Sequence, residues 1–252
     1  VLVNYVKPDD IIWVHDYHLI PLATELRKRG CKNRIGYFLH IPFPPPDILS
    51  AAPDHKWLAE GLMSYDLVGF QTQTDLGNFL RYTEEHVGIH PHPDGSLRFR
   101  NRMVRADAFP IGIDTDAFVE IAAAQADEVQ IDAMRRSLLD RQQIIGVDRL
   151  DYSKGLPDRM KAFSRLLELH PEHMKRVSFL QIAPPTREDV NAYADIREEL
   201  ESLSGAINGR FADFNWTPIR YIHRSVPRDK LAALYRVSRV GLVTPLRDGM
   251  NL

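Results

Sequence analysis

The chain contains one cysteine, Cys31, among its 252 residues. A single cysteine excludes an internal disulfide and is compatible with a reducing compartment, so we expect a cytoplasmic protein. The sequence has no apolar run near the ~20 residues that cross a membrane, and it has no secretory signal peptide. Its formal net charge is −2, and it has no sustained basic block. The charge pattern therefore does not indicate a surface that binds the phosphate backbone of nucleic acid. We therefore expect neither a membrane nor a nucleic-acid partner, and homo-oligomer formation stays open.

The hydrophobic and charged fractions, 44% and 26%, are those of an ordinary globular protein. Strand-like apolar runs alternate with helical patterns along the chain, which is typical of an α/β protein with largely parallel sheets. We predict two tandem Rossmann-like, doubly wound domains that face a cleft. The first covers residues 1–118 and the second residues 119–252, and both are expected to be incomplete. Strands are predicted near 11–14, 34–39, 66–70, 103–109, 142–147, 177–182, 219–222 and 240–243.

Three further predictions concern helices and the link between the domains. Thr74 is a candidate N-cap for the helix that ends near Gly88, because a threonine hydroxyl can accept from a free helical N–H group. The Ala-rich, acidic stretch from Ile121 to Leu139 predicts one helix. The residues before it, 114–121, are interpreted as the connection between the two domains.

A strand–loop–helix segment, residues 146–157, suggests the most specific chemistry in the sequence. Ligands of open α/β sheets bind beyond the carboxyl ends of the strands, where Arg149 and Lys154 are expected to project. A planar guanidinium fork and a compact ammonium group together suit a diphosphate. The alternative is that both cations are solvated surface charges paired with Asp148 and Asp151, and the pattern alone does not decide between the two.

Two segments that carry histidines also follow predicted strands. His15 and His18 flank Asp16, whose carboxylate can accept hydrogen bonds from hydroxyl groups. A metal site at these two histidines lacks an evident third ligand, so a pair of hydrogen-bonded core histidines is the favoured interpretation. His40 precedes the proline-rich loop 41–46, which can fix an imidazole at a pocket wall, and a packing role is the alternative.

Two more candidate positions lie late in the chain. Arg187 comes just before a predicted helix and, taken by itself, is typical of a surface residue. The segment Asp248-Gly249-Met250-Asn251-Leu252 follows a strand. It can present a carboxylate together with successive backbone N–H groups, an arrangement that suits a sugar and an anion.

Four segments together resemble one family: residues 13–19, 38–44, 147–157 and 242–252. In sequence and in order they are similar to the trehalose-6-phosphate synthases, retaining nucleotide-sugar glycosyltransferases of the two-domain GT-B type. The resemblance extends over essentially the whole chain. It implies transfer of glucose from UDP-glucose to glucose 6-phosphate with retention of configuration, which gives trehalose 6-phosphate and UDP in trehalose biosynthesis.

The resemblance also implies roles for single residues. Arg149 and Lys154 match the pair that holds the donor diphosphate. Asp16 and Arg187 match acceptor-binding positions, while His40 matches a histidine near the donor sugar. The remaining donor-binding positions are Val226 at the uracil, Asp248 at the glucose hydroxyls, and Gly249, Met250, Asn251 and Leu252 in the loop that cradles the sugar and the phosphates. Catalytic roles are expected for Arg149, Lys154, Asp16 and His40.

No metal or other cofactor is expected, because two cations can stabilise the charge that grows on a departing diphosphate. UDP-glucose is then a co-substrate. The resemblance implies a front-face reaction, in which the departing phosphate helps to deprotonate the acceptor hydroxyl on the same face.

Two features of the family are absent from the sequence. A glycine-rich loop with further acceptor contacts is expected before Val1, and a carboxylate that engages the donor ribose is expected after Leu252. We therefore expect residues 1–252 alone to be catalytically inactive. Two alternatives remain: a glycosyltransferase or pseudo-glycosyltransferase of the same fold with another acceptor, and a non-catalytic, sugar-phosphate-binding regulatory domain. The presence of Arg149, Lys154 and Asp248 argues against the second alternative.

Overall fold

The computed structural model describes residues 2–125, 128–138, 140–186 and 191–251. The chain divides into two compact units. One comprises Val1–Gly112 together with Asp248–Leu252, and the other comprises Ile113–Arg247. The division thus falls between Gly112 and Ile113, whereas the expected domain boundary lies after residue 118.

The first unit is built on a five-stranded sheet in the order β1-β2-β3-β5-β4. Strands β1, β2, β3 and β5 run parallel, and β4 is antiparallel at the edge. The strands are β1 Ile12–His15, β2 Ile35–Phe38, β3 Leu67–Phe70, β4 Ser96–Phe99 and β5 Arg102–Ala108. The helices are α1 Leu22–Lys28, α2 Pro46–Leu49, α3 His55–Leu62 and α4 Gln73–Tyr82, which a π-helical turn Thr83–Val87 extends.

The two faces of this sheet have different surroundings because successive side chains of a strand point in opposite directions. Val14 of β1 is buried in the hydrophobic core together with residues of α1, α3 and α4. Its neighbour Trp13 is 68% exposed, and Ile11 and Met103 are also exposed. These apolar side chains belong to the face opposite the core, where an open groove of about 510 Å³ runs beside Trp13, Phe38 and other residues of the sheet.

Helix α4 begins two residues earlier than the sequence predicts. Its N-cap is Thr72, whose hydroxyl oxygen accepts from the backbone N–H of Asp75 at 3.1 Å. The prediction of Thr74 as the cap was therefore wrong. The reason is tertiary, because the Asp75 carboxylate is buried and accepts from the backbone N–H of Phe43 at 3.0 Å. That long-range bond fixes the first turn of the helix.

The second unit has a four-stranded, fully parallel sheet in the order β8-β7-β6-β9. The strands are β6 Gln142–Val147, β7 Val177–Ile182, β8 Ile219–Ile222 and β9 Val240–Gly241. The helices are α5 Thr115–Ala124, α6 Val129–Leu138, α7 Leu156–Leu169, α8 Asn191–Phe211 and α9 Arg228–Val237. Residues of α7 and α8 pack in one hydrophobic cluster and residues of α6 and α9 in another, so both faces of this sheet are covered. This is the doubly wound arrangement that the alternating pattern predicts.

The predicted single helix from Ile121 to Leu139 is replaced by two helices, α5 and α6. Helix α5 begins at Thr115 because Asp114 caps it, its carboxylate accepting from the backbone N–H of Ala117 at 2.9 Å. The stretch expected to be a connection is therefore largely helical. Glu128 in turn accepts from the N–H groups of Gln130 and Ile131 and starts α6. None of the described helices combines the length and apolarity needed to cross a membrane.

Candidate active site

Asp16 lies directly after β1 in a strained backbone conformation. Its φ is 65° and its ψ 168°, a region that costs a non-glycine residue about 1–3 kcal/mol. Its N–H donates to the carbonyl of Phe38 at 2.8 Å, which ties it to the end of β2. The Oδ1 atom is buried and has no hydrogen-bond partner among the described residues. Strain together with an unsatisfied carboxylate oxygen is typical of a ligand-binding position.

His40 lies two residues after β2, beside the end of β1. The Nδ1 atom of His15 is 2.9 Å from Nε2 of His40, and the two rings stack with their centroids 5.2 Å apart. A hydrogen bond between two imidazoles needs one donor and one acceptor nitrogen, so it fixes the tautomer of one ring relative to the other. The pair therefore orients the His40 ring at the carboxyl edge of the first sheet.

His15 and His18 do not form a metal site in the described structure. No group of three potential metal-ligating side chains occurs anywhere within the ranges that the structure describes. Both histidines are exposed, so the interpretation as core histidines was also wrong. His15 points away from the core because it alternates with the buried Val14 along β1, and the ring of His18 stacks on that of Tyr17.

Gly249 contacts the backbone of His40 within the first unit. A Cβ atom added at Gly249 would lie 1.8 Å from the carbonyl oxygen of His40 and 3.5 Å from Cγ of Gln71. Only glycine fits so close to another main chain. Asp248 is half-buried, and its Oδ1 accepts from the N–H of Gly249 at 2.9 Å. The structure thus brings the 248–251 segment to His40.

In the second unit, the loop after β6 presents the predicted cation pair. Arg149 is exposed, whereas Lys154 is buried. Lys154 is the last residue of a 3-10 turn. Asp151 caps this turn, because the Asp151 carboxylate accepts from the N–H and the hydroxyl of Ser153. The following Gly155 has a φ of 61°, a conformation that glycine adopts without strain, and helix α7 begins immediately after it.

The surface-charge interpretation of this loop named Asp148 and Asp151 as partners of the two cations. Asp148 is instead buried and forms an ion pair with Arg159 of α7, with Oδ2 and Nη1 2.7 Å apart. Asp151 is engaged by Ser153. Each carboxylate thus has a partner besides the two cations.

A second loop docks on this one. The N–H groups of Leu246 and Arg247 both donate to the carbonyl of Ser153, at 2.8 and 3.3 Å. A Cβ atom at Gly155 would lie 2.8 Å from the carbonyl oxygen of Thr244. The chain that leads into Asp248 is consequently held against the loop that carries Lys154.

The sequence analysis missed Arg159, which is 1% exposed and is the largest fully buried side chain among the described residues. Its helix has an apolar stripe formed by Leu156, Met160, Phe163 and Leu167, which all belong to one hydrophobic cluster. Arg159 lies three residues after Leu156 and so shares that face. An arginine on the apolar face of an amphipathic helix is the signal that identifies a buried polar contact.

The remaining predicted site residues are Val226, Met250, Asn251, Arg187 and Leu252. Val226 is half-buried and packs against the hydrophobic cluster of α6 and α9. Met250 is half-buried and Asn251 is exposed. Arg187 and Leu252 lie outside the described residues.

Comparison with known families decides the class of the chain. The sequence model of glycosyltransferase family 20 matches residues 1–252. The chain belongs to glycosyltransferase family 20. The family assignment agrees with the resemblance noted in four separate segments of the sequence, and with the parallel α/β fold of both units.

Two curated relatives illustrate the similarity. The chain is 46% identical over 253 residues to a trehalose-6-phosphate synthase of Enterobacter sp. (strain 638), covering 100% of this chain and 53% of the relative. It is 48% identical over 251 residues to a trehalose-6-phosphate synthase of Sinorhizobium fredii, covering 100% of this chain and 54% of the relative. The chain therefore spans about half the length of these curated relatives.

Solved structures agree with the family assignment. An α,α-trehalose-phosphate synthase (UDP-forming) from Burkholderia xenovorans, in complex with glucose-6-phosphate, is 52% identical with a TM-score of 0.95, covering 100% of this chain and 56% of that one. An E. coli structure described as bound with UDP-2-fluoro glucose is 45% identical with a TM-score of 0.95, at the same coverages. The fold described above is therefore shared with about half of each of these two solved structures.

Proposed function

We propose that the protein transfers glucose from UDP-glucose to glucose 6-phosphate with retention, giving trehalose 6-phosphate and UDP. The observation that carries this proposal is the continuous match along the whole chain to proteins described as trehalose-6-phosphate synthases, at 46% and 48% identity. The bound molecules named for the related structures, glucose-6-phosphate and UDP-2-fluoro glucose, support the same pair of substrates.

We assign the donor diphosphate to Arg149 and Lys154 in the loop between β6 and α7. The exposed guanidinium of Arg149 can engage two phosphate oxygens, and the Lys154 ammonium supplies a point charge on a turn fixed by Asp151. Charge grows on the diphosphate as the glycosidic bond breaks. Cations already fixed in place stabilise that charge without further reorganisation.

We assign the sugars to residues at the edge of the first unit and to the 248–252 segment. Asp248 and the backbone of Gly249, Met250, Asn251 and Leu252 receive the donor glucose and phosphates, and Val226 meets the uracil through its backbone. His40 lies beside the donor sugar. Asp16, whose Oδ1 has no hydrogen-bond partner within the described part of the chain, and Arg187 receive the acceptor. These residues contribute by orienting the reactants.

We propose that the reaction needs no metal, because the two cations supply the charge that a metal would otherwise provide. The departing phosphate then takes the proton of the acceptor hydroxyl on the same face. Addition of EDTA to the assay should leave the rate of UDP release unchanged. A rate that falls with EDTA and returns with Mg²⁺ would contradict this part of the proposal.

The test of the whole proposal is an assay of the full-length protein with UDP-glucose and glucose 6-phosphate. We expect UDP release that depends on the acceptor, and an α,α-linked product by NMR. Glucose 1-phosphate and fructose 6-phosphate serve as matched acceptor controls. Release of UDP with only a different acceptor supports the pseudo-glycosyltransferase alternative. UDP binding without turnover supports the regulatory one.

A further inference from the structure

We propose that Arg159 is a positioning residue, which aligns the diphosphate-binding loop with the loop that leads to Asp248. This inference rests on the proposed function, because it takes Arg149 and Lys154 as the groups that hold the donor diphosphate. Arg159 itself is buried and touches no substrate in this assignment.

One guanidinium joins three separate strand ends. Nη1 of Arg159 is 2.7 Å from Oδ2 of Asp148, which follows β6, and it donates to Oε1 of Gln181 in β7 at 3.1 Å. Nε donates to the hydroxyl of Thr244, after β9, at 2.8 Å. Asp148 immediately precedes Arg149 in the sequence. The position of Arg159 thus constrains the backbone from which the diphosphate-binding Arg149 projects.

The sheet is shaped to receive this guanidinium. A Cβ atom at Gly146 in β6 would lie 2.6 Å from Nη1 of Arg159 and 2.8 Å from Oε1 of Gln181. The absence of a side chain at Gly146 therefore provides the space that the guanidinium occupies. The arrangement fixes α7, and with it the loop at its amino end, against the strands.

The energetics favour a geometric role over a stabilising one. Removing two charges from water costs free energy, and the attraction between them largely offsets that cost. Well-packed apolar side chains of similar volume therefore often give equal or greater stability. The Arg159–Asp148 pair has side chains 0% and 5% exposed, so this argument applies to it in full. What apolar side chains cannot do is fix three polar groups at defined distances and angles.

The bond to Thr244 transmits this geometry to the second loop. Thr244 is two residues before Leu246, and the N–H groups of Leu246 and Arg247 donate to Ser153, next to Lys154. The Thr244 hydroxyl is therefore the point at which Arg159 sets the register between the two loops. Thr244 is itself exposed, so its substitution removes the bond with little change to the core.

The test compares Thr244→Val with Thr244→Ser in the full-length protein. Valine keeps the shape of threonine but removes the hydroxyl, whereas serine keeps the hydroxyl. We expect Thr244→Val to lower kcat and to weaken UDP binding by about tenfold each, because the lost bond is charge-assisted. Thr244→Ser should stay within about threefold of the wild type, and the KM for glucose 6-phosphate should change little in both variants.

A purely structural role predicts a different result. In that case Thr244→Val lowers the unfolding temperature but leaves kcat and UDP affinity at 25 °C unchanged, and this outcome overturns the inference. A wild-type protein that binds UDP without transfer contradicts the proposed function only. UDP affinity measured by calorimetry then tests the inference by itself, since equal affinity in Thr244→Val and wild type overturns it. Absence of both transfer and UDP binding in the wild type overturns both.

A second variant, Arg159→Lys, keeps the positive charge beside Asp148 but removes the fork that joins the three strand ends. Its kcat and UDP affinity should fall at least as far as those of Thr244→Val. The double variant should be no worse than Arg159→Lys alone, because both changes remove the same hydrogen bond. Additive losses would show that Thr244 acts independently of Arg159 and would contradict the proposed connection.

Discussion

Gly249 lies so close to the carbonyl of His40 that no side chain fits between them: a Cβ atom would be 1.8 Å from the carbonyl oxygen. Contacts below 3.0 Å are essentially never seen for real Cβ atoms, so one of the two segments must move when any other residue replaces Gly249. The two positions are 209 residues apart in the sequence, and both are assigned to the donor sugar.

Gly249→Ala should therefore lower transfer by at least about 10²-fold, because a shift of about 1 Å in a reactant-positioning group costs that much. The measurement is kcat/KM for UDP-glucose in the full-length protein. Gly205→Ala in α8 is the matched control, since a Cβ atom there has no neighbour within 4 Å. The control should keep full activity and gain about 0.5–1 kcal/mol in stability, because alanine is the better helix former. Wild-type activity in Gly249→Ala would show that the segment is placed differently in the active enzyme.

Arg149→Ala and Lys154→Ala should each reduce turnover by at least ~10²-fold, because each removes a charge that stabilises the departing diphosphate. The measurement is the rate of UDP release at saturating UDP-glucose, with circular dichroism to confirm folding. Lys161→Ala in α7 is the control, since its ammonium forms an exposed ion pair with Glu199 of α8. Turnover like that of the wild type in either test variant would remove the leaving-group role.

Arg187→Ala should raise the KM for glucose 6-phosphate strongly and leave UDP affinity nearly unchanged. The expected loss is a charge-assisted contact to the acceptor phosphate, worth roughly 1.5–3 kcal/mol. Steady-state kinetics with varied acceptor gives the KM, and calorimetry with UDP provides the control. A parallel loss of UDP affinity would place Arg187 on the donor side.

Loss of the hydroxyl should change the free energy of unfolding in opposite directions at two neighbouring tyrosines in the hydrophobic core of the first unit. The rings of Tyr37 and Tyr65 are 4.9 Å apart. The Tyr65 hydroxyl donates to the carbonyl of Leu19 at 2.8 Å, whereas the buried Tyr37 hydroxyl has no partner among the described residues. At pH 7, Tyr65→Phe should lower the free energy of unfolding by about 1 kcal/mol and Tyr37→Phe should raise it by a similar amount. Urea titrations measure both, and equal effects of the two changes would contradict the assigned hydrogen bond.

The same tyrosine gives a pH dependence with a defined sign. Burial raises the pKa of Tyr65 to about 12, whereas a tyrosine in an unfolded chain ionises near ~10. The folded state favours the neutral phenol. The stabilisation that this preference contributes is therefore complete below pH ~10 and is lost as the pH rises through the pKa of Tyr65 in the folded state. The stability deficit of Tyr65→Phe should therefore shrink between pH 10 and 12. A constant deficit over that range would show that Tyr65 does not titrate differently in the two states.

The sequence by itself determined the features that depend on neighbouring residues. The strand–loop–helix of residues 146–157 was predicted correctly, since apolar runs and the Gly155 turn act locally. The alternation of strands and helices specified an α/β fold with parallel sheets, and four matching segments specified the family. The break between α5 and α6 was missed, because the Glu128 carboxylate starts a new helix within a continuous helical pattern.

Only the tertiary structure decided the contacts between residues far apart in the chain. The approach of Gly249 to His40 and the bonds of Arg159 to Asp148, Gln181 and Thr244 depend on which strands become neighbours and in which register. A one-residue change of register would send Gln181 of β7 to the other face of its sheet. No local pattern encodes that register, because in the second unit it is set by the packing of helices on both sides of the parallel sheet.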